Sequence, residues 1–355
     1  MEKISLAIGL GFVISLLSVK ALLRFGGLSH DVPNERSSHT APTARGAGLA
    51  ILLALIFGCS ALYQLAIPVT ESEQHALGLI FVTSVLIGAM GVLEDIRGLS
   101  VKLRFGIEAG LALLLALSGL RWDNWLPEGL AIALTVFWIL WVINLYNFMD
   151  GINGIAIIQA LAALVAYALI SFQLHLTLGL GLILILAVSL LAILPYNFPK
   201  AQIFLGDSGS LLLGFLFAAL PLMIHGQDRN FTLLHGIVAI FPFFVDALLT
   251  LGRRILMKEN ILKAHRSHCY QILAQRWNGH TQVTIVYGAL GFYAGACLGC
   301  HRWLGTNLTL LLFVPYAVAV VSVFFWIQLR YSHQSLTCNP HAGGIQSGRK
   351  AEHAN

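Results

Sequence analysis

The sequence predicts an all-α polytopic membrane protein with about eleven transmembrane helices and with its polar loops gathered on the cytoplasmic side. The 355-residue chain holds 21 Lys and Arg and 16 Asp and Glu, which make up 10% of it, whereas soluble domains carry about 25% charged residues. Hydrophobic residues make up 57%, and the mean hydropathy is +0.81. So few polar residues cannot cover so much apolar surface. This excludes a soluble enzyme, a disordered protein and a nucleic-acid binder.

Eleven apolar segments account for most of the chain. A helix that crosses the hydrocarbon core needs about 20 residues, and helices are expected because backbone polar groups in lipid must be bonded within the segment. The first segment has no cleavage site suited to a signal peptide, so we expect an uncleaved anchor. Residues 1–330 are expected to form a single integral membrane domain, and residues 331–355 a short, disordered cytoplasmic tail. The expected spans lie near residues 4–23, 46–67, 76–93, 105–120, 129–146, 154–170, 176–194, 208–224, 233–251, 283–300 and 308–328.

The distribution of Lys and Arg predicts the orientation. Alternate loops carry 16 of these residues on one side and four on the other, and Lys20 lies within the first span. Because short cytoplasmic loops are enriched in Lys and Arg, we expect the N-terminus outside and the C-terminus in the cytoplasm.

Five polar segments all fall on the predicted cytoplasmic side. The first, residues 31–48, is rich in Pro and Gly and therefore in turns. Arg36, His39 and Arg45 in this loop could meet phosphates. A positively charged loop that only anchors the orientation is the alternative.

The second segment pairs Glu94 with Asp95 at the cytoplasmic end of the third span, and Lys102 and Arg104 follow within ten residues. Carboxylates at a helix C-terminus are disfavoured by the helix dipole, so their placement needs another reason. A site for metal and phosphate supplies one, and an exposed ion-pair cluster is the alternative.

The third segment, residues 144–154, places Asn144, Asn147, Asp150 and Asn153 between two apolar helices. Polar groups at the membrane edge are costly unless they are buried against polar partners. Hard oxygen ligands beside glycine turns suit Mg²⁺, which takes one or two carboxylates plus substrate phosphates. A capped turn between helices is the alternative.

The fourth segment, residues 196–210, contains Asn197 and places Asp207 at the start of the eighth span. Such an aspartate can simply cap the helix. The same geometry also presents free N–H groups and a carboxylate to a metal-bound phosphate.

The fifth segment follows Asp246 in the ninth span and forms the longest cytoplasmic loop. It contains His265 and His268, and also six Lys and Arg residues, one of which is Arg266. Arginine binds phosphate through a planar, bidentate fork, so this loop is expected to bind a polyphosphate.

Two other parts of the sequence suggest different functions. Cys297, Cys300 and His301 spell the C-x-x-C-H pattern of c-type haem attachment, which we interpret as a chance match. A multispanning transporter or lipid carrier would place ionisable groups near the bilayer midplane. Glu108 and Asp246, the ones within predicted spans, lie nearer the cytoplasmic end.

The order and spelling of the five segments resemble the polyprenyl-phosphate N-acetylhexosamine-1-phosphate transferases, which form glycosyltransferase family 4. That family includes enzymes that initiate O-antigen and enterobacterial common antigen, and the phospho-MurNAc-pentapeptide translocase. The resemblance runs in collinear order from about Asp31 to Gly279. It rests on DVPNERSSHTAPTARGAG, EDIRGLSVKLRF, NLYNFMDGINGIA, YNFPKAQIFLGDSGSLLLGF and the basic loop HRSHCYQ.

Three departures from the family pattern bear on the substrate. The paired acid is Glu94-Asp95 rather than two Asp residues, and Asn153 stands where bacterial members usually have Asp. Tyr270 and Gln271 stand where the hexosamine enzymes carry His. The spelling is most similar to the O-antigen-initiating subgroup that handles 6-deoxy-N-acetylhexosamines. GlcNAc, FucNAc and QuiNAc all stay open as the sugar, and peptidoglycan synthesis is disfavoured.

The resemblance implies transfer of an N-acetylhexosamine 1-phosphate from a UDP-sugar to undecaprenyl phosphate, with release of UMP, at the cytoplasmic face of a bacterial inner membrane. It also implies Mg²⁺, with Mn²⁺ as the alternative ion, surrounding membrane lipids and no nucleic acid; a homodimer is left open. The implied catalytic residues are Glu94, Asp95, Asp150 and Lys102, the metal ligands are Asp207 and Asn147, and the substrate-binding residues are Asn144, Arg104, Asn153, Asn197, Arg266, His268 and His265.

Overall fold

The computed structural model describes residues 2–31, 42–64, 69–260 and 265–337, and this part of the chain is almost entirely helical. The predicted fold class is confirmed, and each of the eleven predicted apolar segments overlaps at least one helix of the described residues. The helices are α1 (Glu2–Phe25), α2 (Gly48–Gln64), α3 (Glu71–Arg97), α4 (Val101–Leu117), α5 (Glu128–Met149), α6 (Ile155–Gln173), α7 (Thr177–Asn197), α8 (Asp207–Gln227), α9 (Leu233–Ala239), α10 (Phe241–Leu256), α11 (Cys269–Arg276), α12 (His280–Gly299), α13 (His301–Leu304) and α14 (Thr306–Thr337).

The predicted count of eleven spans is not confirmed. Among the described residues, eight helices are long and apolar enough to cross a membrane, and one bent pair makes a ninth candidate. α2 and α4 have 17 residues each, or about 25 Å, which is short of a hydrocarbon core of about 30 Å. Hydropathy reports apolar character, and it does not report where a helix ends.

The segment predicted as a single span at residues 233–251 is two helices. α9 and α10 form the bent pair and meet at an angle of 95°. The side chain of Gln159 donates to the carbonyl of Ala239 beside the break at 3.3 Å. Pro242 lies in the first turn of α10, where its missing N–H has no helical partner to lose. The break sets the direction of α10, which carries Asp246.

α8 lies at the centre of the bundle. Every residue from Ser208 to His225 is buried, as expected of a helix that is apolar on all sides. It packs against α3 and α5. Its first residue, Asp207, therefore reaches the polar end of the bundle on a rigid support.

A small three-stranded sheet that the sequence did not predict joins two loops beside α8. β1 (Ser29–Asp31) pairs antiparallel with β2 (Thr43–Arg45), and β2 pairs in parallel with β3 (Ile203–Phe204). Arg45 lies opposite Phe204 in this register. The sheet thus brings Arg45 beside the chain that leads into α8.

The last helix extends further than predicted. α14 continues to Thr337, so residues 331–337 of the expected tail are helical. Residues 338–355 lie outside the described residues, and disorder there stays a prediction.

Candidate active site

The N-terminus of α8 is capped by a side chain from another helix. Gly206 precedes the helix with φ 73° and has no side chain to cap it. Asp95, at the end of α3, instead accepts the N–H of Asp207 at 2.9 Å and that of Ser208 at 3.0 Å. A carboxylate is stabilised at this end of a helix by the helix dipole. This contact explains why an acidic residue ends α3, where the dipole of its own helix disfavours it.

Gly206 is required by space as well as by its backbone angle. A Cβ atom at this position would lie 2.5 Å from a carboxylate oxygen of Asp95. The glycine therefore permits the close approach of the Asp95 carboxylate to the first turn of α8.

Arg45 bridges two carboxylates at the end of α8. Its Nε lies 3.0 Å from Asp95 Oδ1, and its Nη2 lies 2.6 Å from Asp207 Oδ2. The Asp95 side chain is fully buried, whereas those of Asp207 and Arg45 are 15% and 32% exposed. Burial lowers the pKa of Arg45, but the charges of Asp207 and Asp95 together raise it above its ordinary value. Arg45 is thus a fixed cation that faces solvent beside Asp207.

Asn147 and Asp150, at the end of α5, complete this part of the site. Asn147 donates from Nδ2 to Asp207 Oδ1 at 2.6 Å and to Ser210 Oγ at 3.1 Å. Asp150 follows the last residue of α5. Burial, opposed by Arg45 and reinforced by the charges of Asp207 and Asp95, raises the pKa of Asp150 to about 7. This carboxyl group therefore titrates near neutral pH.

A second polar group lies between α3, α4 and α5. Glu94 accepts the N–H of Leu99, which fixes the turn after α3. Arg104 lies 3.9 Å from Glu94 and 3.6 Å from Glu108. Glu108 also contacts the amide of Asn144 at 3.5 Å. Glu94 and its sequence neighbour Asp95 thus make different contacts: Glu94 bonds the turn after α3, and Asp95 caps α8.

Lys102 has an exposed side chain in the first turn of α4. Its exposure suits a residue that meets an incoming phosphate, and its catalytic role stays a prediction.

Asn153 and Asn197 hold two turns together. Asn197 accepts the N–H of Gly154 at 2.9 Å and donates to the carbonyl of Ile203 at 2.8 Å. Asn153 donates to the carbonyl of Pro199 at 3.0 Å. Asn197 is buried, and both its amide oxygen and its amide nitrogen are bonded to backbone groups. In this conformation it supports the structure around the site. The substrate-binding role of both residues stays a prediction.

The basic segment lies against the end of α5. The ring of His268 stacks on those of Phe148 and His265, with centroids 6.4 Å and 5.0 Å away. His265 also contacts Ser267 Oγ at 2.9 Å. Burial, and then electrostatic interaction with His268 and with Arg254 and Arg253 in the last turn of α10, lower the pKa of His265 to about 4. His265 is therefore a neutral hydrogen-bonding group at neutral pH, and Arg266 beside it is partly buried.

The five predicted segments are joined by these contacts. Arg45, Asp95, Asn147 and Asp207 link the first four, and Phe148 links the third to the fifth. Arg36, His39 and residues 261–264 lie outside the described residues.

The sequence interpretation singled out Arg45 only as one of three cations in its loop, and it did not assign Ser210, Glu108 or Tyr270 to the site. The sequence signal that could have favoured Arg45 is its place directly before the glycines that lead into α2.

The described residues contain no group of three or more His, Cys, Asp or Glu side chains arranged to hold a metal ion. This geometry still fits Mg²⁺, which takes one or two carboxylates and completes its shell with phosphates and water. Asp207 offers a partly exposed carboxylate with an amide beside it. The amide nitrogen of Asn147 faces Asp207 in this conformation, and its role as a second ligand stays a prediction.

Comparison with known proteins shows which family the sequence matches. Residues 77–225 match the family described as glycosyl transferase family 4, and they include Asp95, Asn147 and Asp207. The chain is 30% identical over 315 residues to a probable undecaprenyl-phosphate N-acetylglucosaminyl 1-phosphate transferase from Bacillus subtilis, which covers 82% of this chain and 84% of that protein.

Two more distant relatives carry related names. A decaprenyl-phosphate N-acetylglucosaminephosphotransferase from Mycobacterium tuberculosis is 27% identical over 74% of this chain and 72% of its own length. A phospho-N-acetylmuramoyl-pentapeptide-transferase from Staphylococcus haemolyticus is 30% identical over 40% of this chain and 41% of its own length. The family match and the extent of the similarity to the Bacillus subtilis protein make the chain a membrane phosphotransferase that belongs to glycosyl transferase family 4.

Proposed function

We propose that the protein transfers an N-acetylhexosamine 1-phosphate from a UDP-sugar to undecaprenyl phosphate and releases UMP. The relatives' names support transfer of a sugar phosphate to a polyprenyl phosphate. The single observation that carries the proposal is the cluster of Arg45, Asp95, Asn147 and Asp207 at the N-terminus of α8. A buried helix that presents a carboxylate and a cation at its N-terminus is suited to a metal-bound diphosphate.

The chemistry needs positioning and neutralisation of charge more than covalent participation by the protein. An oxygen of the acceptor phosphate attacks the β-phosphorus of the UDP-sugar, the bond to the α-phosphate oxygen breaks, and UMP leaves. When bound, Mg²⁺ would neutralise the diphosphate, and Asp207 with Asn147 would hold it. Arg45 keeps the carboxylates of Asp95 and Asp207 in place, while Lys102 and Arg104 bind phosphate.

Glu94 is proposed to hold neighbouring groups in position and not to act as a general base. A phosphate monoester has a second pKa near 6 and is already mostly a dianion at pH 7, so the acceptor needs no general base. In the structure, Glu94 bonds the turn after α3 and faces Arg104. Glu94→Gln keeps an acceptor for that turn, and we expect it to retain at least a tenth of the wild-type kcat. Loss of all turnover in a folded Glu94→Gln protein would restore Glu94 as the base.

The proposed location is the bacterial inner membrane, with the site in the cytoplasm, where nucleotide sugars are made. The excess of Lys and Arg in the loops on the side of Asp95 and Asp207 supports this orientation. We assign the product to the start of O-antigen or a related envelope glycan on the strength of the sequence resemblance. Residues 1–330 are proposed to act as one membrane domain.

The decisive experiment is a panel of donors. Purified protein in detergent, with undecaprenyl phosphate and Mg²⁺, is given UDP-GlcNAc, UDP-FucNAc and UDP-QuiNAc, and UMP release is measured. We expect UMP with at least one of these sugars, and the one with the highest kcat/KM identifies the donor. Absence of UMP with all three, from protein that unfolds cooperatively on heating, would refute the proposed reaction.

The metal assignment has its own matched variants. We expect Asp207→Asn to abolish turnover at saturating Mg²⁺ and Asp228→Asn, at the far end of α8, to leave it within twofold of wild type. Asp228, the residue after α8, pairs with Arg302 at 2.7 Å, so each change removes the charge of an ion-paired aspartate at one end of the same helix. Near-normal turnover of Asp207→Asn would remove Asp207 as a metal ligand.

A further inference from the structure

Asp246 is a fully buried carboxylate that the reaction as described above does not use. It lies in α10, and its Oδ1 accepts the N–H of Cys269 at 2.7 Å, while its Oδ2 accepts that of Tyr270 at 3.1 Å. It also accepts the hydroxyls of Tyr287 at 2.6 Å and Thr250 at 3.1 Å. A buried charge is very costly unless it is hydrogen-bonded. The four donors show that this site is built for an ionised aspartate.

These bonds cap α11 from a neighbouring helix. Cys269 and Tyr270 are the first two residues of α11, and their N–H groups have no partner within that helix. The carboxylate is placed at the positive end of the helix dipole. Because Tyr287 belongs to α12, Asp246 fastens the start of α11 to α10 and α12 together.

The start of α11 is in turn fitted closely to the end of α5. The hydroxyl of Tyr270 donates to the carbonyl of Phe148 at 2.9 Å. A Cβ atom on Gly151 would clash with that hydroxyl, so no residue larger than glycine fits beside Tyr270 without a shift. Tyr270 is fully buried. The structure thus gives Tyr270 a packing role.

The basic segment directly precedes this anchored helix. His268 is the residue before Cys269, and its Nδ1 lies 3.6 Å from Asp246 Oδ1. Its ring stacks on Phe148 and on Tyr270, with centroids 6.4 Å and 5.9 Å away. The carboxylate that caps α11 therefore also lies beside the ring of His268.

We propose that Asp246 is a positioning residue that holds the segment from His265 to His268 in the geometry that receives the diphosphate of the nucleotide donor. This proposal rests on the proposed function, because it names the group that the segment binds. Asp246 acts through α11 and His268. It therefore affects binding of the nucleotide and leaves binding of the lipid acceptor unchanged.

The test measures both substrates in one variant. We expect Asp246→Asn to raise the KM for the UDP-sugar at least tenfold, to lower kcat less than threefold, and to leave the KM for undecaprenyl phosphate within twofold. The asparagine keeps the volume, loses the charge and turns an NH₂ group toward backbone donors. Calorimetric binding of UDP to the full-length protein should weaken by the same factor as the KM for the UDP-sugar.

A pair of tyrosine variants keeps the test informative if Asp246→Asn does not fold. Tyr287→Phe removes a hydroxyl bonded to Asp246, and Tyr167→Phe removes an equally buried hydroxyl that has no hydrogen-bond partner in the described part of the chain. We expect Tyr287→Phe to weaken UDP binding three- to tenfold and Tyr167→Phe to change it less than twofold. Amide hydrogen exchange should accelerate at Cys269 and Tyr270 in Tyr287→Phe, and not along α12.

The outcomes separate this proposal from the proposed function. Unchanged UDP binding in both Asp246→Asn and Tyr287→Phe overturns the positioning role. So does a loss of kcat with an unchanged KM for the donor, or exchange that accelerates equally in α10, α11 and α12. A wild-type protein that releases no UMP refutes the proposed function, while UDP binding and hydrogen exchange still test whether Asp246 positions the segment.

Discussion

Replacing Arg45 tests the centre of the site most directly, because one guanidinium holds two carboxylates. In Arg45→Gln, the contacts of 3.0 Å to Asp95 and 2.6 Å to Asp207 lose their charge. The carboxylate of Asp95 keeps its two backbone donors from α8. We therefore expect the helix to stay capped and Asp207 to lose its fixed orientation.

The magnitude follows from the two contacts and their exposure. A hydrogen bond to a charged group contributes about 1.5–3 kcal/mol, and ion pairs near solvent contribute less because water screens them. With the Arg45 side chain 32% exposed, we take about 2 kcal/mol for both contacts together. At about 1.4 kcal/mol per tenfold change, Arg45→Gln should lower kcat/KM roughly 30-fold.

The assay compares three variants by UMP release at fixed pH and saturating Mg²⁺. Arg45→Lys keeps the charge but loses the planar fork that reaches both carboxylates, so we expect an intermediate loss of roughly five- to tenfold. Arg302→Gln is the control, because it removes an Arg–Asp pair with 45% exposure of the arginine side chain at the other end of α8. That control should stay within twofold of wild type.

Two results would refute the reasoning. Retention of more than a third of the wild-type kcat/KM by Arg45→Gln would mean that the carboxylates need no bridge. Equal losses of activity in Arg45→Gln and Arg302→Gln would point to a general effect of charge removal.

Other predictions concern Asp150, Gly206 and Glu73. The pKa of Asp150 is raised to about 7 by burial and by neighbouring carboxylates, so its contribution to stability is present below the ordinary aspartate pKa and is lost as pH rises through 7. Asp150→Asn should therefore raise Tm relative to wild type more at pH 8.5 than at pH 6, and an equal difference at both would contradict this. Gly206→Ala should abolish folding or activity, because φ is positive and the added Cβ would meet Asp95. Gly226→Ala is the control: the space around its Cβ is open, so this variant should not lower Tm. Glu73 accepts N–H groups in the first turn of α7, from Leu178 at 2.7 Å and Gly179 at 3.0 Å. Glu73→Gln should lower the free energy of unfolding by about 1–2 kcal/mol without changing the KM for either substrate.

Much of the site could be predicted from the sequence because its residue types are unusual for their surroundings. Asp95, Asn147, Asp150 and Asp207 are polar groups at the ends of apolar segments, where such groups are costly without a partner. Their order along the chain also carries the family resemblance. What the pattern could not supply was the partner of each group.

Arg45 illustrates the limit. It is separated from Asp207 by 162 positions, and strands of two or three residues carry it there. Strands that short have no detectable alternation of apolar and polar residues. Asp246 is a similar case. Its donors Cys269, Tyr270 and Tyr287 lie in α11 and α12, and the sequence pattern does not show that these helices pack beside α10.

Composition alone determined that the chain is a helical membrane protein, because burial in lipid requires apolar residues in excess whatever the packing. The sequence motifs and their order along the chain indicated the family and supplied the candidate site residues. The structure decided how many helices are long enough to span a membrane and showed that the predicted ninth span is bent by 95°. It also showed that Asp95 caps α8, whereas Glu94 bonds the turn after α3. The physical reason is that hydropathy is a sum over neighbours in sequence, whereas a cap, an ion pair or a bend depends on which distant chain lies alongside.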